Sequence, residues 1–459
     1  MKVIMKKLLI CMFVAAGLSG CHIYKAYQRP EAIMPDSLYR QSEVAADADS
    51  VSLASLSWRQ LFTDPMLQDL IETGLENNTD LNIARLKVEE AEAMLMTSRL
   101  SYLPSVTLSP QGSVSGLAGE KATKTYNLAA SAEWEIDVFG KVLNAKRGAK
   151  AVLEQSEAYR QAVQTQLVAT IANSYYSLLM LDKQLDITRQ TAETWRENVH
   201  AMEVLKRAGQ TTEMAVAQTR ASQLSAEASV LSLERQINEM ENSLSVLLGM
   251  TPQKIERSTL DSQEFPDSLS VGVPLQLLSR RPDVKQSEAE LAAAYYATNV
   301  ARAAFYPSIT LSGSAGWTNS AGAAVLNPAQ WLLSAVGSIV EPLFNKGQNM
   351  ANLKVAKAQQ EEALLSFRQS LLDAGAEVNN ALTQWQTARA RIVLDEQQSE
   401  SLRSALRSSE LLMRHSSQNY LEVLTARQTL LQAELNATAD RFDEIQGVIN
   451  LYHALGGGY

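Results

Sequence analysis

The chain has 459 residues, a formal net charge of −9 at pH 7, two cysteines and four histidines. The histidines show no HxxxH or HExxH spacing, and the chain has no Walker or GxGxxG glycine pattern. These features predict no metal site, no cofactor and no enzymatic activity. The acidic balance also argues against nucleic acid as a partner.

The N-terminus predicts secretion. Three lysines precede a short apolar run and the sequence "LSGC", which ends at Cys21. A basic stretch, an apolar stretch and small residues describe a signal peptide over residues 1–20. The ending resembles a bacterial lipobox, so we expect a palmitate-type lipid on Cys21. Since residue 22 is not an aspartate, the resemblance implies sorting to the outer membrane. The alternative is an ordinary signal peptide followed by a chance cysteine.

The mature chain is internally duplicated. "LPSVTLS" at 103–109 recurs as "YPSITLSG" at 306–313, and an aspartate lies 24 residues before the proline in both copies, as Asp80 and Asp283. Such order indicates a repeated unit of about 200 residues. We therefore expect a lipidated extension at 21–65, repeat 1 at 66–250 with a β-hairpin near 104–138, an inter-repeat segment at 251–274, and repeat 2 at 275–459 with a hairpin near 307–341.

Two long stretches predict coiled helices. No proline lies between Pro110 and Pro252, and none follows Pro342. Because proline disrupts helix interiors, its absence permits very long helices. Spacings that alternate between three and four residues are typical of helices that pack along their length. They separate a set of apolar residues in the second stretch: Leu364, Phe367, Leu371, Ala374, Val378, Ala381, Trp385, Ala388 and Ile392.

The hairpin segments alternate with a period of two, which predicts strands with one apolar and one polar face. In the second strand, apolar residues alternate with a polar set that includes Glu133, Glu135 and Asp137. Strands of about ten residues suit an outer-membrane barrel with lipid outside and water inside. The three carboxylates then line the lumen rather than form a catalytic cluster. The alternative is a soluble sheet with one solvated face.

Strand counting predicts an assembly. Two hairpins supply four strands, which cannot close a barrel, and open strand edges are not tolerated in lipid. Two copies would give eight strands and three would give twelve. Because the interior of an eight-stranded barrel is filled by side chains, a water-lined conduit favours three copies.

Five segments carry a family resemblance: "YQRP" (27–30), "WRQLFTDPMLQDLI" (58–71), "RRPDV" (280–284), "FYPSITLSG" (305–313) and "ALGGG" (454–458). In this order they resemble the TolC family of outer membrane factors, in the lipoprotein subgroup that includes OprM and NodT. The resemblance covers the whole mature chain. It implies an α+β, mostly α fold that assembles as a homotrimer, with a twelve-stranded transmembrane β-barrel, an equatorial region and a periplasmic α-barrel.

The resemblance also implies partners and candidate sites. The family docks on a periplasmic adaptor protein and an inner-membrane pump, commonly of the RND type. Contact with the adaptor would lie at the two helix tips, which contain Gly209, Gln210, Ser417 and Gln418. Gly209 itself predicts a helix stop.

The family's periplasmic entrance carries an apolar residue and, one turn later, often an aspartate. These positions correspond here to Leu421 and Thr425, which share one helix face. Glu422 is directed more toward a neighbouring helix. The alternative for Leu421 is packing between helices.

The sequence thus favours a passive exit duct in the outer membrane that extends into the periplasm. A secreted coiled-coil lipoprotein with a structural role and the duct of a type I secretion system remain the alternatives.

Overall fold

The structure is a computed structural model that describes residues 24–30, 56–116, 118–120, 122–263, 265, 281–318, 331–415 and 420–457. Within these ranges the chain is mainly helical and contains four β-strands, which confirms the expected α+β, mostly α fold. Cys21, Ser417 and Gln418 lie outside the described residues. Among the helices described, none is long and apolar enough to cross a membrane.

The elements follow one another in two similar series. The first consists of α1 (Trp58–Leu61), α2 (Pro65–Asn77), α3 (Thr79–Leu100), β1 (Ser105–Ser115), β2 (Thr123–Ile136), α4 (Lys141–Arg207) and α5 (Glu213–Leu247). After a 3₁₀ turn at Leu260–Ser262, the second consists of α6 (Pro282–Ala303), β3 (Ser308–Thr318), β4 (Trp331–Val340), α7 (Gln348–His415) and α8 (Tyr420–Ala454).

Element lengths repeat closely between the two series. Helices α3 and α6 each have 22 residues, and strands β1 and β3 each have 11. The long helices α4 and α7 have 67 and 68 residues, and α5 and α8 each have 35. Corresponding elements therefore differ by at most one residue, except for β2 with 14 residues and β4 with 10.

The four strands form one antiparallel sheet in the order β1-β2-β3-β4. In the register, Thr107 lies opposite Ser131, Ser131 opposite Ser314, and Ser314 opposite Ser334. Both hairpins thus join side by side, through β2 and β3. Within the described residues, neither β1 nor β4 has a second neighbouring strand.

Contacts within the chain group the described residues into two units. The first draws on 1–34, 86–158 and 285–370 and contains the sheet. The second draws on 35–85, 159–284 and 371–459 and is helical. Its core includes fully buried large side chains of Phe62, Leu67, Ile71, Ile171, Tyr175, Tyr176, Leu178, Leu179 and Leu244.

The apolar stripe of α7 is buried as its spacing predicts. Six of its nine residues are buried, namely Phe367, Leu371, Ala374, Val378, Ala381 and Ala388. Leu364, Trp385 and Ile392 are partly buried. The stripe therefore packs along most of the helix, in keeping with a spacing of three and four.

A buried carboxylate attaches the inter-repeat segment to the helical unit. The Oδ2 atom of Asp64 accepts hydrogen bonds from the Tyr175 hydroxyl at 2.6 Å, from Gln263 at 3.0 Å and from the Ser258 hydroxyl. Burial alone would raise the pKa of Asp64, but these bonds and one from the Met66 amide hold it below its ordinary value. The pKa of Tyr175 is raised to about 12, mainly by burial and to a smaller extent by its hydrogen bond to Asp64.

In each repeat, a side chain that precedes the first long helix binds the end of the last one. The Asn78 side-chain amide donates from Nδ2 to the Leu247 carbonyl at 2.8 Å, at the end of α5. In repeat 2 the Arg281 guanidinium donates to the Ala454 carbonyl at 2.8 Å, at the end of α8. Both bonds satisfy carbonyls that have no partner inside their helix.

Candidate channel-forming surfaces

One face of the sheet is mainly polar on β1, β2 and β3, whereas β4 contributes Val336 and Val340 as well as serines to it. Residues directly opposite each other in an antiparallel sheet project on the same face. The register therefore aligns hydroxyl side chains across all four strands, in the row formed by Thr107, Ser131, Ser314 and Ser334. The Ser314 and Ser334 hydroxyls are 2.8 Å apart, so neighbouring strands are also bonded through their side chains.

The opposite face of the sheet is apolar. One row crosses the four strands through Leu108, Ala130, Ala315 and Leu333, and another joins Ile136, Ile309 and Ile339. Leu333 is 81% exposed in the single chain, and Leu108 is exposed as well. An apolar surface of this extent needs a non-aqueous environment or a partner.

The three carboxylates predicted to line a lumen occupy different positions. Glu133 lies opposite Ser105 and Ser312 on the polar face. Glu135 shares that face and forms an ion pair with Lys141, with 2.9 Å between Oε1 and Nζ. The two residues are therefore part of the polar surface of β2.

Asp137 lies beyond the strand, because β2 ends at Ile136. Its Oδ2 accepts a hydrogen bond from the Leu143 amide at 2.6 Å, in the first turn of α4. Amides in the first helical turn have no partner within the helix, and the positive end of the helix dipole favours a carboxylate. The prediction that Asp137 is a strand residue is therefore wrong, since its side chain caps the helix instead.

Aromatic residues mark the end of the sheet where the chain enters its helices. The Trp134 indole N–H donates to the Tyr102 carbonyl at 2.9 Å, which ties β2 to the turn before β1. The rings of Phe139 and Tyr306 stack with centroids 4.9 Å apart. Tyr306 precedes β3 and Phe139 follows β2, so this stack joins the two hairpins.

The segment 24–30, shortly after Cys21, packs against α6. The Tyr27 amide donates to the Tyr296 hydroxyl at 3.2 Å, and the Tyr27 ring meets the edge of Tyr295 at a centroid distance of 5.9 Å. Arg29 forms a two-pronged ion pair with Glu288, in which the Nε–Oε1 distance is 2.7 Å. This segment is therefore held by backbone, aromatic and charged contacts to one helix.

The first helix tip has a tight glycine turn. Gly209 has a φ of +73°, and the Gln210 amide donates to the Leu205 carbonyl at 2.9 Å. This 6→1 bond defines a Schellman motif, in which glycine takes the left-handed conformation at least cost. Thr212 then caps α5 by accepting from the Ala215 amide at 3.2 Å. Gly209 thus stops the helix as its sequence predicts.

The candidate entrance residues lie in the first turns of α8. Leu421 is 53% exposed, and Glu422 and Thr425 are exposed too, whereas Val423 is buried. In the single chain Leu421 is therefore not packed between helices.

Tyr420 adds a contact that its sequence did not indicate. Its hydroxyl donates to the Gln218 side-chain oxygen at 2.6 Å, which joins α8 to α5 next to Leu421. The two residues are 202 positions apart. No local pattern of charge or spacing connects them, so only the fold brings them together.

Within the described part of the chain, no three His, Cys, Asp or Glu side chains are grouped as they would be to hold a metal ion. The feature of the sheet that bears on function is instead its division into a mainly polar face and an apolar face.

Comparison with known proteins identifies the family. The family model described as "Outer membrane efflux protein" matches residues 70–250 and 273–457. "Cation efflux system protein CusC" of Escherichia coli strain K12 is 29% identical over 449 residues, which cover 97% of this chain and 98% of that protein. "Probable efflux pump outer membrane protein TtgC" of Pseudomonas putida strain KT2440 is 30% identical, with 99% of this chain and 96% of that protein covered.

Solved structures show the same fold. A CusC crystal structure has a TM-score of 0.86 at 27% identity and covers 95% of this chain and all of that one. The open MtrE outer membrane channel of Neisseria gonorrhoeae has a TM-score of 0.85 at 28% identity, with 95% and 98% covered. This family consists of outer-membrane channels rather than enzymes. The chain therefore belongs to the outer membrane efflux protein family, and it is an outer-membrane component of an efflux system.

Proposed function

We propose that three copies of this chain form the passive exit duct of a tripartite efflux pump. The observation that carries the proposal is the two-faced sheet, whose edge strands β1 and β4 have no second neighbouring strand among the described residues. Unpaired backbone groups cost several kcal/mol each in hydrocarbon, so an open four-stranded sheet needs further strands there. Three copies supply twelve, with hydroxyls and carboxylates inside and the leucine and isoleucine rows toward lipid.

Strand length supports this assignment. The four strands have 11, 14, 11 and 10 residues. About 9–11 tilted residues cross the hydrocarbon core of a bilayer, so each strand is long enough for one crossing. The alternatives, a non-spanning coiled-coil lipoprotein and a duct for type I secretion, differ in conductance and in partner.

The test is conductance of the purified full-length protein in planar bilayers. We expect discrete conducting units when the protein is added from mild detergent and none when it is heat-denatured first. A folded protein that gives no conductance under any applied voltage would favour the structural lipoprotein.

The lipid anchor on Cys21 forms part of the same proposal. Several acyl chains on one residue give firm membrane attachment, because each buried methylene contributes about 0.8 kcal/mol. We expect Cys21→Ser to abolish metabolic labelling with palmitate, while a matched Cys11→Ser change within the signal peptide leaves labelling intact. Full labelling of Cys21→Ser would disprove the assignment.

We place the resting constriction of the duct at Leu421. It is exposed in the single chain, at the start of the helix that Tyr420 fastens to α5, and three copies would form a narrow apolar ring. Such rings resist ions because they are poorly hydrated. Thr425 lies one turn further on the same face but brings no charge, and Glu422 points about 100° away, toward a neighbour.

Conductance of single-residue variants tests this constriction. We expect Leu421→Ser to raise resting conductance several-fold and to sensitise cells to bulky antibiotics, and Thr425→Ala to change little. Leu412→Ser is the matched control, because Leu412 on α7 is also 53% exposed. Equal conductance of Leu421→Ser and wild type would exclude Leu421 from the constriction.

The remaining partners are a periplasmic adaptor and an inner-membrane pump of the RND type. The adaptor would meet the helix tips, at Gly209 and Gln210 in repeat 1 and at Ser417 and Gln418 in repeat 2. The relatives named above have different descriptions, one as a cation efflux system protein and the other as a probable efflux pump outer membrane protein, although both are similar to this chain over nearly its whole length. We therefore expect the pump, rather than the duct, to determine which molecules are exported. Co-purification of the full-length protein with an adaptor and a pump that are encoded beside its gene would identify both partners.

A further inference from the structure

Two carboxyl groups meet where α7 packs against α8 in the helical unit. Asp440 of α8 is 1% exposed, and its side chain is within hydrogen-bonding contact of Asp395 of α7. The Oδ2 atoms of both residues are buried and have no donor among the other described residues. A carboxylate oxygen can only accept, so two ionised groups cannot satisfy each other.

Positive charge at this site is insufficient for two carboxylates. Arg391 of α7 donates to the Oδ1 atom of Asp440 at 2.8 Å, and its own side chain is largely exposed. Asp443, on the same helix as Asp440, adds a third negative charge nearby. The largest charged contributions at Asp440 come from Asp395 and Arg391 of α7 and from Asp443 of α8, and Arg391 is the cation among these three.

We propose that Asp395 and Asp440 bind one shared proton and so form a pH-sensitive contact between α7 and α8. One carboxyl then donates from its Oδ2 to the Oδ2 of the other, which satisfies both orphaned atoms. Arg391 compensates the single negative charge that remains on the pair. A second carboxyl in contact disfavours the ionised form, so burial beside Asp395 favours the protonated form of Asp440.

The electrostatic surroundings agree with this assignment. The pKa of Asp440 is raised to about 6, mainly by burial and to a smaller extent by the hydrogen bond to Asp395, although Arg391 acts in the opposite direction. The pKa in the folded state therefore exceeds that of an unfolded aspartate, and the folded protein holds the proton more tightly. The stabilisation is complete below the unfolded pKa and is lost as the pH rises through about 6.

Thermal unfolding of the intact protein in detergent, followed by circular dichroism at about pH 5 and about pH 8, tests the shared proton. We expect Asp440→Asn and Asp395→Asn to match wild type at the lower pH and to exceed its Tm by several degrees at the higher pH. An amide supplies the missing donor at every pH. Glu396→Gln is the matched control, because it removes one negative charge from the next, exposed position of α7. It should retain the pH dependence of wild type.

A lower Tm of Asp440→Asn at both pH values would overturn the proposal, because it would show that Arg391 and an ionised Asp440 stabilise the contact. Difference infrared spectroscopy between the two pH values gives a readout that is independent of stability. A protonated-carboxyl band should be present in wild type and in Glu396→Gln and absent from both aspartate variants. Raising the Tm of wild type at the higher pH with Mg²⁺ alone would instead assign the site to a cation and refute the shared proton.

Discussion

The two repeats close the ends of their last helices with different chemistry. In repeat 1 the neutral Asn78 amide binds the Leu247 carbonyl. In repeat 2 the Arg281 guanidinium binds the Ala454 carbonyl, and it also pairs with Asp283 at 2.7 Å and with Glu377 at 2.6 Å. Element lengths hardly differ between the repeats, so similar helix geometry is closed by a neutral amide in repeat 1 and by a guanidinium with two carboxylate partners in repeat 2.

This difference shows how a duplicated scaffold distributes its stability. Arg281 is 3% exposed, and burial on its own would make its charge unfavourable. Its two carboxylate partners keep the guanidinium charged, and the guanidinium in turn holds the pKa of Asp283 below the usual range, against the effect of burial. Asn78 has no charge to compensate. Replacement of Arg281 should therefore destabilise the closure of repeat 2 more than replacement of Asn78 destabilises the closure of repeat 1.

Replacement of Arg281 should have the largest effect. Arg281→Ala leaves the Ala454 carbonyl without its donor and two carboxylates without their common cation. Because Asp283 and Glu377 are about half exposed and can be hydrated, we expect a loss of about 2–3 kcal/mol in the free energy of unfolding. Urea unfolding followed by circular dichroism measures it. A loss below about 1 kcal/mol would show that Arg281 and its partners are not a stabilising closure.

Replacement of Asn78 should have a smaller effect. Asn78→Ala removes the bond to Leu247 and also the cap on α3, where the Asn78 side chain accepts from the Leu81 amide at 2.9 Å. We expect a loss of about 1–2 kcal/mol, which the same urea titration detects. If Asn78→Ala proved as damaging as Arg281→Ala, the two closures would be equivalent and the comparison between repeats would fail.

The smallest effect is expected at the tip of repeat 1. A side chain at Gly209 would meet no other atom within 4 Å, so Gly209→Ala costs only the left-handed backbone conformation. We expect a loss of about 1 kcal/mol. Gly209→Asn is the control, because asparagine tolerates that conformation better. An equal loss in both variants would point to a cause other than φ.

Much of the fold follows from sequence pattern alone. The period of two in the hairpins predicts the four strands, and alternating spacings of three and four predict the buried stripe of α7, because both periods reflect local geometry. The boundary at Asp137 was not predictable in this way. That residue continues the alternation of β2, yet its carboxylate binds the Leu143 amide at the start of α4.

Contacts between distant elements are harder to predict. Asp395 and Asp440 are 45 positions apart, and Tyr420 and Gln218 are 202 positions apart. Each pair depends on how two helices pack and rotate against each other, which a single sequence does not specify. Arg281 lies in the recognisable "RRPDV" segment, but the carbonyl that it binds belongs to the opposite end of the repeat.

The number of chains in the conducting particle tests the central claim most directly. Native mass spectrometry of the full-length protein, released from the same mild detergent that gives conductance, counts them. We predict three chains, because three four-stranded sheets provide the twelve strands of a water-lined barrel. A stable particle of one or two chains that conducts and keeps all its strands would contradict the account.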